Sequence, residues 1–225
     1  MKCVGGVWLP QEEEHLVEWM TNMNLVVDGR LTYQYSKLQA AMKFVPADRR
    51  RVAVDVGAHV GLWAMHLVKM FGQVEAFEPN GSLLGCFLRN VGVSNVCRHP
   101  FALGPCAGFT NLRRFDGNTG HTMNTGVESV RENGKGIGGE IEMKTLDSFG
   151  FPVVDFIKID VEGYEPGVVN GARETILRCR PVMVVEDKNF GSHHGFRPLA
   201  AIEMLVDMGM DIKHNIGGDH IMAWK

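Results

Sequence analysis

From about residue 51 onward, two rhythms of apolar positions alternate along this chain. Short, nearly continuous apolar runs occur at 52–56 (VAVDV), 73–77 (QVEAF), 153–159 (VVDFIKI) and 181–186 (PVMVVE). Runs of this kind read as strands buried on both faces. Between them, apolar residues recur three and four apart, which predicts helices at 60–71, 80–91, 165–178 and 198–208. Pro79-Asn80 marks the start of the second. A strand near 96–99 and two closing strands near 210–214 and 220–224 complete the pattern. The alternation predicts an α/β fold of Rossmann-like type: a mostly parallel sheet with helices on both faces.

Two regions depart from this rhythm. In residues 1–50, EEEHLVEWMTNM suggests an amphipathic helix with Leu16, Trp19, Met20 and Met23 on one side, and YSKLQAAMKFV suggests another that ends at Pro46. We expect this segment to be a helical flank or lid on a domain spanning 51–225. Between Leu103 and Asp147 the chain is rich in Gly, Asn and Thr. It is too long for a simple connection, so 104–145 is expected to be an inserted functional loop, with a hairpin starting from TNLRRF.

Composition narrows the function classes. The chain has 225 residues, 45% of them hydrophobic, enough for one large core. Charged residues make up 22% and the formal net charge is −3. That balance gives no electrostatic reason to expect nucleic acid or an anionic membrane as partner. Arg49–Arg51 and Arg113–Arg114 are short basic runs and read as solvated faces. The five cysteines are scattered without CxxC spacing, which points to a reduced compartment and argues against a zinc site. No apolar run has the length of a leader core or a membrane span, so a cytoplasmic setting is expected.

The chemistry concentrates at strand ends. In DVGAHVG, Asp55, Gly57 and Gly61 fall where the first strand turns into a helix, the place where open α/β sheets bind ligands. Glycine lets a ligand approach the backbone closely. Glu78 ends the next strand, about 20 residues on, where a carboxylate can accept both hydroxyls of a ribose. GAHVG does not fit the GxGxxG fingerprint of dinucleotide sites. An acid beside it would repel a pyrophosphate and attract a sulfonium. S-adenosylmethionine therefore fits better than NAD.

In FIKIDVEG, strand alternation would put Lys158, Asp160 and Glu162 on one face. A lysine in an apolar strand needs a partner, and Asp160 or Glu162 could supply it. If the methyl group of S-adenosylmethionine passes to a hydroxyl, the acceptor must be aligned and its proton removed. Asp160 is the first candidate for that work, with Glu162 and Glu186 as further catalytic acids. Glu186 and Asp187 end the next strand, so Asp160, Glu186 and Asp187 could converge on Mg²⁺, or stand as solvated strand-end acids. His121 could overhang the cleft, and His193 and His194 could line the acceptor side, though surface loop positions suit all three.

VDVGAHVGLWA, EAFEPN, FALG, KTLDSF, VDFIKIDVEGYEPGVVNGA and PVMVVE occur in the order and spacing of the FkbM-type methyltransferases, which the chain resembles over about residues 50–190. The resemblance implies a seven-stranded class I methyltransferase fold, S-adenosylmethionine as donor, and mostly O-methylation of sugars or natural products. By position, Asp55, Gly57 and Gly61 match the family's first cofactor loop and Glu78 its ribose acid. Ala102 and Leu103 match the stretch beside the adenine, and Asp160 and Glu162 the acids of the fourth strand end. His59 stands where the family usually has Asn, and it too can exchange a hydrogen bond with the cofactor. The combined reading is an S-adenosylmethionine-dependent O-methyltransferase acting on a saccharide or another small hydroxylated molecule. The rivals are a 2′-O-methyltransferase on RNA, disfavoured by the missing basic surface, and a non-catalytic S-adenosylmethionine-binding module, disfavoured by the full set of strand-end acids.

Overall fold

Aliphatic and β-branched residues that alternate between two covered faces set the architecture of the computed structural model, which describes residues 1–114, 128–131, 137–188 and 190–225. Seven strands form one sheet: β1 (Val52–Val56), β2 (Gln73–Phe77), β3 (Val96–His99), β4 (Phe156–Ile159), β5 (Val182–Glu186), β6 (Met210–Ile216) and β7 (Asp219–Trp224). Their spatial order is β6-β7-β5-β4-β1-β2-β3. β1 to β5 run parallel, while β7 is antiparallel to both β5 and β6. The strand order reverses between β1 and β4, so their carboxyl ends frame a crevice.

Successive residues of a strand face opposite ways, and the core divides accordingly. Ala53, Phe156 and Val184 point to one face, covered by α1 (His15–Met23), α2 (Tyr35–Met42), α3 (Ala64–Leu67) and α4 (Leu84–Val91). Val54, Ile157 and Val185 point to the other, covered by α5 (Glu165–Gly171), α6 (Arg173–Cys179) and α7 (Ala200–Asp207). The N-terminal segment thus shares a continuous core with α3 and α4. A buried ion pair, Lys37 with Asp219, ties α2 to β7. Within α1, Leu16 and Met20 are buried, but Met23 is exposed and Trp19 only partly covered, so its apolar stripe is narrower than the sequence suggests.

Three further elements differ from the expectations. Regular α-helix in the 60–71 segment is confined to Ala64–Leu67, flanked by turns, because Gly61 takes φ +86° and ends any earlier helical run. The 165–178 helix breaks in two at Gly171–Ala172, where Gly171 passes against the Gly104 carbonyl with no room for a Cβ. The 104–145 segment is more than a loop. Its described parts, with Ala102–Leu103, form a second sheet in which Gly108–Arg114 pairs antiparallel with Glu128–Arg131 and with Ile137–Lys144. The hairpin expected from TNLRRF is present; His121 lies outside the described residues. Among the described residues no helix is long and apolar enough to cross a membrane.

The arginine run before β1 is not simply a solvated face. The buried Asp155 carboxylate, just before β4, accepts hydrogen bonds from Arg51 N (2.9 Å), Nε (2.9 Å) and Nη2 (2.6 Å), and Arg49 Nε lies at 3.5 Å. This clamp joins the starts of β1 and β4, opposite the crevice. Burial alone would raise the Asp155 pKa, but the Arg51 hydrogen bonds and charge hold it below the ordinary aspartate value. A lowered folded-state pKa contributes stability that is present at neutral pH and lost as pH falls through the acidic range. Asp155→Asn is therefore expected to destabilise the fold by about 1.5–3 kcal/mol at pH 7. Denaturant titration should show the gap from wild type narrowing as the pH is lowered.

Candidate active site

The carboxyl ends of β5, β4, β1, β2 and the segment after β3 open onto one cavity of about 310 Å³. Its wall is built strand by strand, with Lys188 and Phe190 following β5, Asp160 and Glu162 following β4, Gly57 to His59 following β1, Glu78 and Pro79 following β2, and Phe101 to Leu103 following β3. His15, Leu16 and Tyr33 reach in from the N-terminal segment. Sheet order places Glu78 toward one end of the row and Lys188 toward the other.

The β1 turn owes its shape to alternating left-handed residues: Gly57 (φ +75°), His59 (φ +51°) and Gly61 (φ +86°). The glycines do not simply make room for a ligand. A Cβ on Gly57 would lie 1.9 Å from the Asp160 carbonyl oxygen, and one on Gly61 would lie 2.4 Å from Val91 Cγ2. Gly61 does not line the cavity; it lets the turn pack on α4. Asn and His are among the non-glycine residues that tolerate this backbone region best, which accounts for His59 at a position where Asn would also serve. The His59 N–H donates to Glu78 Oε2 at 2.9 Å, and the Asn80 N–H donates to Glu78 Oε1 at 2.7 Å. These two backbone N–H groups aim the Glu78 carboxylate, which lines the cavity.

Asp55 is fully buried and lies beneath the cavity, absent from its wall. It faces Lys158 Nζ at 3.5 Å. Lys158 in turn donates to the Gly57 carbonyl (2.9 Å) and the Val56 carbonyl (3.3 Å), and stands 3.7 Å from Asp160 Oδ2. Burial disfavours the Lys158 charge, but Asp160, Asp55 and Glu186 offset that and hold its pKa above the ordinary lysine value. Burial raises the Asp55 pKa against the pull of Lys158.

Beyond Lys158, oxygens of Asp160, Glu162 and Glu186 gather within 4.8 Å of one another. Lys188 pairs with Glu186. Burial opposes ionisation at Asp160, but Lys158 and Lys188 hold its pKa below the usual aspartate value. Burial and the Asp160 charge raise Glu162 and Glu186. One carboxylate here is thus held ionised while two neighbours favour the protonated form. Asp187 does not join the set: the residue after Glu186 faces away, and its Oδ2 accepts from the Leu199 N–H at 2.6 Å. The expected Asp160–Glu186–Asp187 metal site is therefore not formed. The acids that do converge are already met by two ammonium groups, Lys158 at Asp160 and Lys188 at Glu186, so the donor set does not fit Mg²⁺.

Several wall residues carry no sequence motif. Tyr33 enters because Gln34 adopts φ +56° and its Oε1 accepts from Trp63 Nε1 at 3.1 Å. Burial and nearby Asp160 raise the Tyr33 pKa, keeping the phenol neutral. Lys188 follows two acids and could have been singled out as their counter-charge. Glu165, which does not line the cavity itself, lay within the VDFIKIDVEGYEPGVVNGA stretch without an assigned role. Its Oε1 accepts from the Val161 N–H (3.0 Å) and the Gly163 N–H (3.1 Å) and so holds the turn that carries Glu162 at φ +56°. Burial raises Glu165 to about 7. Ala102 and Leu103 line the cavity; His193 and His194 do not.

A family model described as the methyltransferase FkbM domain matches residues 55–211, more than half of the chain. Among solved structures, an FkbM methyltransferase from Methylobacillus flagellatus is 18% identical, with 79% of this chain and 44% of that one covered and a TM-score of 0.50. A presumptive O-methyltransferase from Klebsiella pneumoniae is 13% identical, with 92% and 86% covered and a TM-score of 0.50. The chain thus spans less than half the length of the FkbM structure it matches. No curated protein matches it. Likeness at these identities shows the shared Rossmann-like methyltransferase fold, and the match over 55–211 places the chain within that fold: it belongs to the FkbM methyltransferase family.

Proposed function

We propose that this chain transfers a methyl group from S-adenosylmethionine to a hydroxyl of a saccharide or another small acceptor. One observation carries the reading: Glu78 and Asp160, from strands on either side of the reversal in strand order, open onto the same cavity. At about 310 Å³ the cavity lies at the small end of ligand sites. The residues present suit such a donor. Glu78, aimed by two N–H groups, can accept the hydroxyls of a ribose, and Phe77, Leu83, Phe101 and Leu103 offer apolar walls to a purine. Gly57 and His59 would border the donor's middle, while Asp55 and Gly61 act from below by shaping the turn.

When bound, S-adenosylmethionine supplies a methyl group already activated on a sulfonium. The protein's part is to orient the acceptor and take its proton. Asp160, held ionised by Lys158 and Lys188, receives the proton of the acceptor hydroxyl. Glu162 and Glu186, favouring their protonated forms, limit the repulsion around it. Tyr33 and Lys188 border this end of the cavity and can hydrogen-bond the acceptor. The N-terminal flank therefore serves as an acceptor wall on the 51–225 domain.

A ribose 2′-hydroxyl of RNA is a second reading, because lysines and acids interleave at this end of the cavity. The net charge of −3 weighs against it. Turnover on an RNA oligomer but on no saccharide would favour that reading.

Three substitutions test the assignments. In Glu78→Gln, an amide N–H meets one of the two N–H groups that aim the side chain, and S-adenosylhomocysteine affinity should fall by about 10- to 100-fold by calorimetry, in line with the loss of charge-assisted hydrogen bonds. Asp160→Asn should keep that affinity while turnover falls by about 10²- to 10⁴-fold; unchanged turnover would remove Asp160 from the mechanism. Tyr33→Phe should raise KM for the acceptor and leave S-adenosylhomocysteine binding unchanged.

A further inference from the structure

At the outer edge of the sheet, β2 and β3 present a second cluster of donors. Glu75 registers opposite Cys97, and Phe77 opposite His99. Residues two apart on a strand share a face, so Glu75, Cys97 and His99 lie side by side. Each offers one ligand atom, and the three atoms fall within 4.8 Å of one another. His99 Nε2 is 2.6 Å from Glu75 Oε2. The imidazole is packed by rings, stacked on Phe77 at 4.4 Å and met edge-on by Phe149 at 5.1 Å. Glu75 Oε1 accepts from Gln73 Nε2 at 3.2 Å. Two of the three donors are thus held in place by their neighbours. Cys97 is a free, exposed thiol on the last strand of the sheet, so the cluster is open to solvent on that side.

We propose that Glu75, Cys97 and His99 bind a borderline-soft divalent cation of the Zn²⁺ class. Thiolate, imidazole and carboxylate together make the donor set such an ion prefers, and Mg²⁺ and Ca²⁺ do not take sulfur. Three protein ligands leave a fourth position to water. Ligand distances of about 2.0–2.3 Å on a tetrahedral ion separate neighbouring donors by about 3.3–3.5 Å. The ion therefore replaces the His99–Glu75 hydrogen bond, opens that pair by several tenths of an ångström, and draws Cys97 inward. Binding releases the Cys97 thiol proton to solvent and leaves the His99 proton on Nδ1. Cysteine spacing alone argues against zinc in this chain; the ligands escape that reading because they come from two neighbouring strands, with only Cys97-x-His99 local in sequence. The proposal does not depend on the methyltransferase reading.

The test titrates the full chain with Co²⁺ in the absence of any cofactor, then displaces it with Zn²⁺. One equivalent should bind with a sulfur-to-cobalt charge-transfer band. That band should vanish in Cys97→Ser, and Zn²⁺ affinity should fall by at least about tenfold in Cys97→Ser and in Glu75→Gln. Zn²⁺ should also protect Cys97 from alkylation, as read by peptide mass spectrometry. If no band forms, or if band and affinity survive in Cys97→Ser because the metal sits on other thiols, the proposal is overturned.

Discussion

The placement of one buried ammonium group organises the crevice. Lys158 sits in the central strand β4, between apolar neighbours, where an unpaired charge would be prohibitive. It is retained because the tips of β1 and β4 surround it with Asp55, Asp160 and the carbonyls of Val56 and Gly57. The same contacts hold the glycine turn against the start of the Asp160 loop, so the turn and the acid cluster cannot move independently. Breaking a buried pair leaves an uncompensated charge. Lys158 therefore constrains the geometry on both sides of the point where strand order reverses.

The N-terminal segment extends this arrangement outward. Its helices join the core on the β1 face, and Lys37 locks α2 to Asp219 at the start of β7. Tyr33 and His15 then cover the cavity from a stretch that precedes the family-matched residues. Residues 55–211 supply the strand tips, and the preceding segment supplies further walls. That division explains why the strand-tip walls of the cavity have readable motifs and the walls from the N-terminal segment do not.

The strands were legible because buried parallel strands are apolar throughout, and boundaries shifted by only a few residues. The place of Glu78 on the cavity wall was legible because it ends the strand next to the glycine turn. Asp55 shows the limit of such reasoning: its motif is plain, yet its side chain turns beneath the cavity to Lys158. Asp187 failed as a partner of Glu186 through strand alternation, which decided the face once β5 ended at Glu186. Tyr33 and Glu165 were illegible for a different reason. Their roles depend on long-range packing or on a turn geometry that no local periodicity encodes.

Backbone strain reinforces that view of the site. Of the non-glycine residues with positive φ, His59 and Glu162 line the cavity and Gln34 follows Tyr33, which also lines it, each on a different segment. Such conformations cost about 1–3 kcal/mol apiece and persist only where surroundings over-determine them. Here the fixing contacts can be named: Gln34 accepts from Trp63, the His59 N–H binds Glu78, and Glu165 ties down the turn around Glu162. In each case a hydrogen bond from a separate element converts strain into position. These contacts therefore set the Tyr33 phenol and the carboxyl groups of Glu78 and Glu162 around one small volume. Preorganisation of that kind suits the proposed transfer from an already activated donor, because alignment is then most of what remains for the protein to supply.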